Sequence, residues 1–303
     1  MPARDMYDPT FSESQEGIQA WADLVAIVRH LRRDCPWDRE QTHESVKHLL
    51  VEEAFEVVDT IDRGRLGDLP GELGDLLLHV LFHSAIAEGT DSFQLADVIK
   101  SITDKLIRRH PHVFDDVEVD GVSEVLANWE KIKLREGDRR SVLDGVPLAL
   151  PSLLRAHRIQ EKVAGVGFDF ADASVSWTKV EEEIREFRAL GGRPAHEREA
   201  ELGDLLFSLV NYARLSGLNA ENALRSACNR FDDRFRFVES EVDRRGSTLE
   251  AATLEEMDAD WDEAKRHEAE RNEAERNEAE RNEAERNEAE RNEAERNEAK
   301  HVR

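Results

Sequence analysis

The chain has 303 residues and a formal net charge of −25, with 36% charged and only 6% aromatic residues. That much negative charge excludes a protein that grips nucleic acid or an anionic membrane through a basic surface. No run of ~18 apolar residues offers a transmembrane helix, the polar N-terminus lacks a signal-peptide profile, and Cys35 and Cys228 form neither a disulfide framework nor a metal knuckle.

A reducing cytoplasm is the expected setting. At ~150 residues per domain, the length predicts two modest domains. In chain order, residues 1–16 read as a polar extension and 17–140 as a first domain. Within it, Leu50, Ala54, Val57, Val58 and Ile61 fall on one helical stripe, with Gly64 as a C-terminal stop. Leu73, Leu76, Leu77, Val80 and Leu81 form the next stripe. Gly145, Pro147 and Pro151 mark residues 141–151 as a linker. A second domain follows over 152–267; there Ser174 or Ser176 is available to cap a helix over 180–190, and Gly191-Gly192 ends it. Residues 268–303 repeat Arg-Asn-Glu-Ala-Glu, a period that keeps no face apolar, so the tail reads as a solvated appendage, helical or disordered. No segment shows sustained period-two alternation. The fold class is all-α: two tandem homologous helical-bundle domains followed by a charged repeat tail.

The homology of the two domains rests on internal repeats. Glu53 and its neighbours recur 130 residues later around Glu183, Glu72-Leu73-Gly74-Asp75 recurs 129 later as Glu201-Leu202-Gly203-Asp204, and Trp129 with Lys133 recurs 132 later as Trp261 with Lys265. Three matches in one order at one spacing indicate duplication, and the period is far too long for a solenoid unit. The repeated acids also share a placement. At ~100° per residue, Glu53 and Glu56 flank the first stripe, while Glu72 and Asp75 are i,i+3 partners beside the second. Glu183, Glu186, Glu201 and Asp204 repeat the pattern in the second domain. Four acids at a helix seam repel one another unless a cation neutralises them. A hard divalent ion with oxygen ligands does so, and Mg²⁺ combines carboxylates with phosphate oxygens. A single ExxE pair is an ordinary solvated surface; its duplication beside matched apolar stripes is not.

The second domain adds cations suited to phosphate. Lys179 precedes Glu183 by one turn, Arg230 and Arg234 lie at i,i+4, and so do Trp261 and Lys265. Guanidinium and ammonium groups match phosphate oxygens, and Trp261 offers an aromatic surface for a base. Together with the acids they point to a nucleotide polyphosphate. Neither a GxGxxG nor a Walker A sequence is present. Cys35 has no paired His and Asp for nucleophilic work, and His110 with His112 lacks a third metal ligand.

At these residues the chain resembles the MazG family of nucleoside triphosphate pyrophosphohydrolases, within the all-α pyrophosphohydrolase superfamily. The resemblance rests on both EExxE…ExxD cassettes, Cys35-Pro36-Trp37-Asp38 with Gln41-Thr42-His43, Arg108-Arg109-His110-Pro111-His112-Val113-Phe114, and Val166-Gly167-Phe168-Asp169. It spans roughly residues 17–266. It implies hydrolysis of the α–β phosphate bond to a nucleoside monophosphate and pyrophosphate, Mg²⁺ dependence with Mn²⁺ as a substitute, broad base tolerance in nucleotide-pool housekeeping, and a homodimer. Carried over, the metal ligands fall on Glu183, Glu186, Glu201 and Asp204, and the nucleotide contacts on Lys179, the segment around Glu182, Arg230, Arg234, Trp261 and Lys265. The first domain keeps Glu53, Glu56, Glu72, Asp75, Lys105, Arg109, Trp129 and Lys133, but Leu49 stands where the second has Lys179. The second site is therefore expected to be the main catalytic one, with Glu182 or Glu183 accepting the proton of the attacking water. The alternatives are a narrow-specificity diphosphatase of the same superfamily and a nucleotide-sensing module without turnover.

Overall fold

The computed structural model describes residues 14–115, 117–121, 124, 125, 128, 132 and 141–301. Trp129 and Lys133 lie outside the described residues. Among those described, eleven helices and no strand carry the fold, and the chain divides into two compact units, 1–144 and 145–303.

In the first unit, the Ser14 side chain accepts from the Gly17 amide and starts α1 (Gln15–Asp34). Pro36 opens the short α2 (Pro36–Glu40), which Arg32 ties back to α1 by donating to the Asp38 carbonyl. Thr42 and Ser45 exchange capping bonds at the start of α3 (His43–Asp62), and Gly64, at φ +65°, ends it. There follow α4 (Leu69–Glu88), α5 (Leu95–Arg109) and α6 (Pro111–Phe114). α4 packs against both α1 and α3. Val28, Val46, Leu81, Phe82, Ala85, Ile86 and Leu95 form the core of this unit.

The stripes expected from the sequence need a correction here. On α3 the covered face runs through Val46, Leu50, Glu53, Val57 and Thr60, while Ala54 and Ile61 stay exposed. On α4, Leu73 and Val80 are exposed and His79 is buried. The apolar stripe is wider than the neighbouring helices cover, so burial follows where α3 and α4 meet rather than the stripe's centre. That meeting line includes Glu53 and Glu72.

The second unit contains α7 (Ser152–Ala164), α8 (Ala173–Ala189), α9 (Ala195–Leu215), α10 (Ala220–Arg244) and α11 (Leu254–His301). Asp172 caps α8 by accepting from the Val175 amide at 3.0 Å; Ser174 and Ser176 lie inside the helix. The carboxylate one residue upstream of the helix reaches the free amide of its first turn, which an interior serine cannot do. α8 packs along α9, α7 also packs on α9, and α10 packs on α11. Arg245 clamps Asp260 with two bonds of 2.6 Å, fixing the end of α10 to α11. The repeat tail continues α11 as one helix, ~72 Å long at 1.5 Å per residue for its 48 residues. Its first residue is not a free appendage: Glu268 is half-buried and pairs with Arg234 at 2.7 Å.

Few apolar side chains of this unit are fully covered, chiefly Val180, Val210, Val238 and Val242. Leu202, Leu206, Phe207, Phe231 and Phe235 remain exposed on α9 and α10.

Phe82, at 7% exposure, fills the first unit's core. Phe82→Ala is expected to cost about 3–5 kcal/mol, read as a lowered urea midpoint by circular dichroism.

Candidate active site

The α8–α9 pair sets the geometry of the main cluster. Trp177 on α8 meets Tyr212 on α9 edge-on at 4.8 Å. That contact near one end of the hairpin fixes an antiparallel register, which brings Glu183 opposite Glu201 and Asp204 further along. Carboxylate oxygens of these three acids lie within 4.8 Å of one another. Glu183 is buried at 4% exposure, Glu201 is half-buried and Asp204 is exposed. Glu186 stands outside this trio, yet its charge acts on Glu201.

Lys179, one turn before Glu183, brings a cation to this cluster. Its Nζ is 2.8 Å from both Glu182 and Glu183. Those hydrogen bonds, first to Glu182 and then to Glu183, push the lysine above its ordinary pKa. The same contact pulls Glu182 below the usual carboxylate range. Glu201 shifts the opposite way: burial first, then the charges of Glu186, Asp204 and Glu183, push its carboxyl up. Lys179 therefore offsets the repulsion on α8, while on α9 its charge also lowers Glu201 without cancelling the rise.

The other cations expected in the site gather elsewhere on the unit. Arg230 donates to Ser226 at 2.7 Å, and Arg234 pairs with Glu268 while its guanidinium lies 5.6 Å from the centre of the Trp261 ring. Trp261 also touches Phe231, centroids 4.9 Å apart, and Lys265 pairs with Asp262 at 3.0 Å. Arg230, Arg234 and Arg271 line a cleft of about 260 Å³ between α10 and α11. The structure thus forms two groups, the carboxylates with Lys179 on α8–α9 and the arginines with Trp261 on α10–α11.

In the first unit, Glu53, Glu56 and Glu72 form a matching trio within 4.8 Å, with Asp75 outside it. Burial, then the charges of Asp75, Glu52 and Glu72, raise Glu53; the charge of Glu53 leads the causes that raise Glu56. Leu49 offers no cation. His79 sits 4.0 Å from Glu53, but burial pushes its pKa down, so it is neutral at neutral pH and does not replace Lys179. Sequence reasoning missed His79, although its position one turn beyond Asp75 on α4 would have flagged it. It also missed Glu268, because the repeat was read as starting in solvent. Lys105 and Arg109 lie on α5. His110 and His112, ring centroids 5.7 Å apart, join no group of three ligating side chains among the described residues. Cys35 and Cys228 are free thiols.

Both trios are oxygen-only donor sets, in which burial and neighbouring charge raise Glu201 and Glu53 and neighbouring charge raises Glu56, and this chemistry fits a hard divalent cation. The class so defined is an all-helical protein with paired acidic clusters suited to such a cation. Residues 41–114 match the model of the MazG nucleotide pyrophosphohydrolase domain. The nucleoside triphosphate pyrophosphohydrolase of Escherichia coli (strain K12) is 43% identical over 247 residues, covering 78% of this chain and 94% of that protein. The Thermotoga maritima nucleoside triphosphate pyrophosphohydrolase/pyrophosphatase MazG is 42% identical, covering 79% and 93%. A Mycobacterium tuberculosis nucleoside triphosphate pyrophosphohydrolase is 33% identical, covering 78% and 64%. The chain belongs to the MazG family.

The raised carboxyl of Glu201 gives a pH-dependent expectation. Its folded pKa lies above the ordinary 4.5, so the charged form destabilises the metal-free fold at pH 7 and the penalty disappears below 4.5. Glu201→Gln is expected to raise the metal-free melting temperature at pH 7, with the gain vanishing as the pH falls through that range.

Proposed function

We propose that this protein is a divalent-cation-dependent nucleoside triphosphate pyrophosphohydrolase, cleaving the α–β phosphate bond to give a nucleoside monophosphate and pyrophosphate. The observation that carries this reading is the buried Glu183 beside Glu201, Asp204 and Lys179 in a chain of the MazG family. Glu183, Glu186, Glu201 and Asp204 would hold Mg²⁺, and oxygen ligands of this kind also suit Mn²⁺. When bound, the ion supplies charge neutralisation at the phosphoryl oxygens and acidifies water.

The protein's own side chains do the remaining work. Lys179 turns from Glu182 to a phosphate oxygen as the substrate arrives, exchanging one oxyanion partner for another. Glu182, released from that pairing, regains its ordinary basicity and accepts the proton of the attacking water, with Glu183 as the other candidate acceptor. Water attacks the α-phosphorus in line and the pyrophosphate leaves. Arg230, Arg234 and Lys265 stabilise the charge that develops on it, and Trp261 anchors Arg234. For this to happen, Glu268 must yield Arg234 to the phosphates.

A homodimer accords with the exposed Leu202, Leu206, Phe207, Phe231 and Phe235, which a second copy would cover. A cytoplasmic housekeeping role in the nucleotide pool, with broad base tolerance, follows from the family reading and from free thiols. The net charge of −25 argues against nucleic acid as a partner, and no described helix is long and apolar enough to cross a membrane. The first unit, with Leu49 for lysine and unrelieved charge on Glu53 and Glu56, is assigned a weaker site that binds nucleotide with little turnover.

Removing one cradle ligand takes several kcal/mol from the transition state. Glu183→Gln and Asp204→Asn are each expected to lower Mg²⁺-dependent pyrophosphate release by roughly 100-fold or more. Glu53→Gln is expected to leave most of it, and equal loss in all three variants would reject the assignment of the second unit as the main site.

A further inference from the structure

Three histidines of the first unit take no part in the proposed chemistry. His43 opens α3, and His79 and His83 stand at i,i+4 on one face of α4. Across the internal repeat, 130 residues after His43 and 129 after the other two, the second unit has Ala173, Ser208 and Tyr212. The imidazoles therefore belong to the first unit alone, and packing the shared fold does not require them.

His43 and His83 meet head-on. Their Nδ1 atoms are 2.8 Å apart, their ring centres 5.1 Å apart and their planes 3° from parallel. The nitrogens are closer together than the ring centres by 2.3 Å, which is the reach of both rings combined. The rings thus lie edge to edge in nearly one plane, each turning a nitrogen to the other. Burial first, then the charges of His43 and His79, pushes His83 below its ordinary pKa. It is neutral at neutral pH, the form in which an imidazole binds metal.

The far side of His83 is unsatisfied. Its Nε2 and the Nδ1 of His79 are buried without a hydrogen-bond partner among the described residues, and His79 as a whole is 8% exposed. Whichever tautomer His83 adopts to bond His43, its Nε2 is left over at a cost. A cation on Nδ1 would fix the proton of His83 on Nε2 and make that atom a donor. The Nδ1 of His79, on a ring centred 6.4 Å away, is then its acceptor through one bridging water. His79 in turn presents Nε2 to Glu53, 4.0 Å away. Such a run from ligand imidazole to carboxylate is what orients metal-binding histidines.

We propose that His43 and His83 hold a borderline transition cation of the Zn²⁺ class through their Nδ1 atoms, with water completing the shell and His79 orienting His83. Two nitrogens ~2.0–2.1 Å from a tetrahedral Zn²⁺ lie ~3.3 Å apart, so the pair needs to part by only ~0.5 Å. His43 is exposed, which lets its ring pivot. His79 joins no converging group of three with them, so it is not a third ligand. The nitrogen donors set this site apart from the oxygen-only trio of Glu53, Glu56 and Glu72, which suits a harder ion. The bound ion ties the start of α3 to α4.

The test is a titration of Co²⁺, an optical stand-in for Zn²⁺, into the full-length protein with Mg²⁺ in large excess to fill the carboxylate clusters. The wild type is expected to show the strong visible bands of one four-coordinate Co²⁺ per chain, without a thiolate charge-transfer band, and Zn²⁺ should abolish them. His43→Ala, at an exposed position with little risk to folding, and His83→Ala should each remove the bands. His79→Leu should weaken binding of the ion about tenfold, and Glu53→Gln should leave the bands in place. Only the weak bands of six-coordinate Co²⁺ in the wild type, or strong bands that survive His43→Ala, would overturn the assignment. So would a thiolate band from Cys35 or Cys228, or loss of the signal in Glu53→Gln. Unchanged affinity in His79→Leu would overturn the orienting role.

Discussion

Carboxylates that the helix pairing forces together govern both halves of this molecule. Glu183, Glu201 and Asp204 in one unit, and Glu53, Glu56 and Glu72 in the other, bring oxygens within 4.8 Å because α8–α9 and α3–α4 pack in one register. Packing apolar stripes alone would never select such an arrangement, since like charges at this distance oppose the folded state. Burial first and then neighbouring charge raise the carboxyls of Glu201 and Glu53, and the charge of Glu53 leads the causes that raise Glu56. A divalent cation bound there would relieve this opposition and so couple the stability of the fold to the ion.

The two units diverge at one position. Lys179 relieves the charge on α8 and holds Glu182 below its ordinary range. Its counterpart, Leu49, packs against the first unit's core instead. His79 comes close to Glu53 but is buried and neutral. One unit thus has a lysine paired with its acidic cluster, and the other has a leucine at that position. Duplication followed by divergence at this position accounts for one acidic cluster with a lysine beside it and one with a leucine there.

Much of this was legible in the sequence because helical periodicity and a repeat of about 130 residues act locally. The all-α class and the helix stop at Gly64 follow from spacing, and six of the eight acids that spacing picked out meet in the two trios, while Asp75 and Glu186 stand outside them. Features that depend on the partner across a contact were not legible. The cap of α8 went to Asp172 rather than Ser174 or Ser176, and the covered face of α3 turned toward Glu53 once α4 was in place. Glu268 looked like the first residue of a solvated repeat until Arg234 supplied its partner. Gln160, buried on α7, gave no signal in the sequence, because its Oε1 is left without a donor among the described residues only after folding. Spacing finds residues that share a face; only the fold shows which of them remain unsatisfied.

The central claim is that the acids on α8 and α9 bind the cation on which the chemistry depends. Mn²⁺ titrated into nucleotide-free full-length protein, followed by electron paramagnetic resonance, measures this directly. The wild type is compared with a Glu183→Gln, Asp204→Asn double variant of unchanged helicity. The double variant should lose the tightest class of bound Mn²⁺ and keep only the binding contributed by the first unit. Superimposable binding curves for the two proteins would contradict the account.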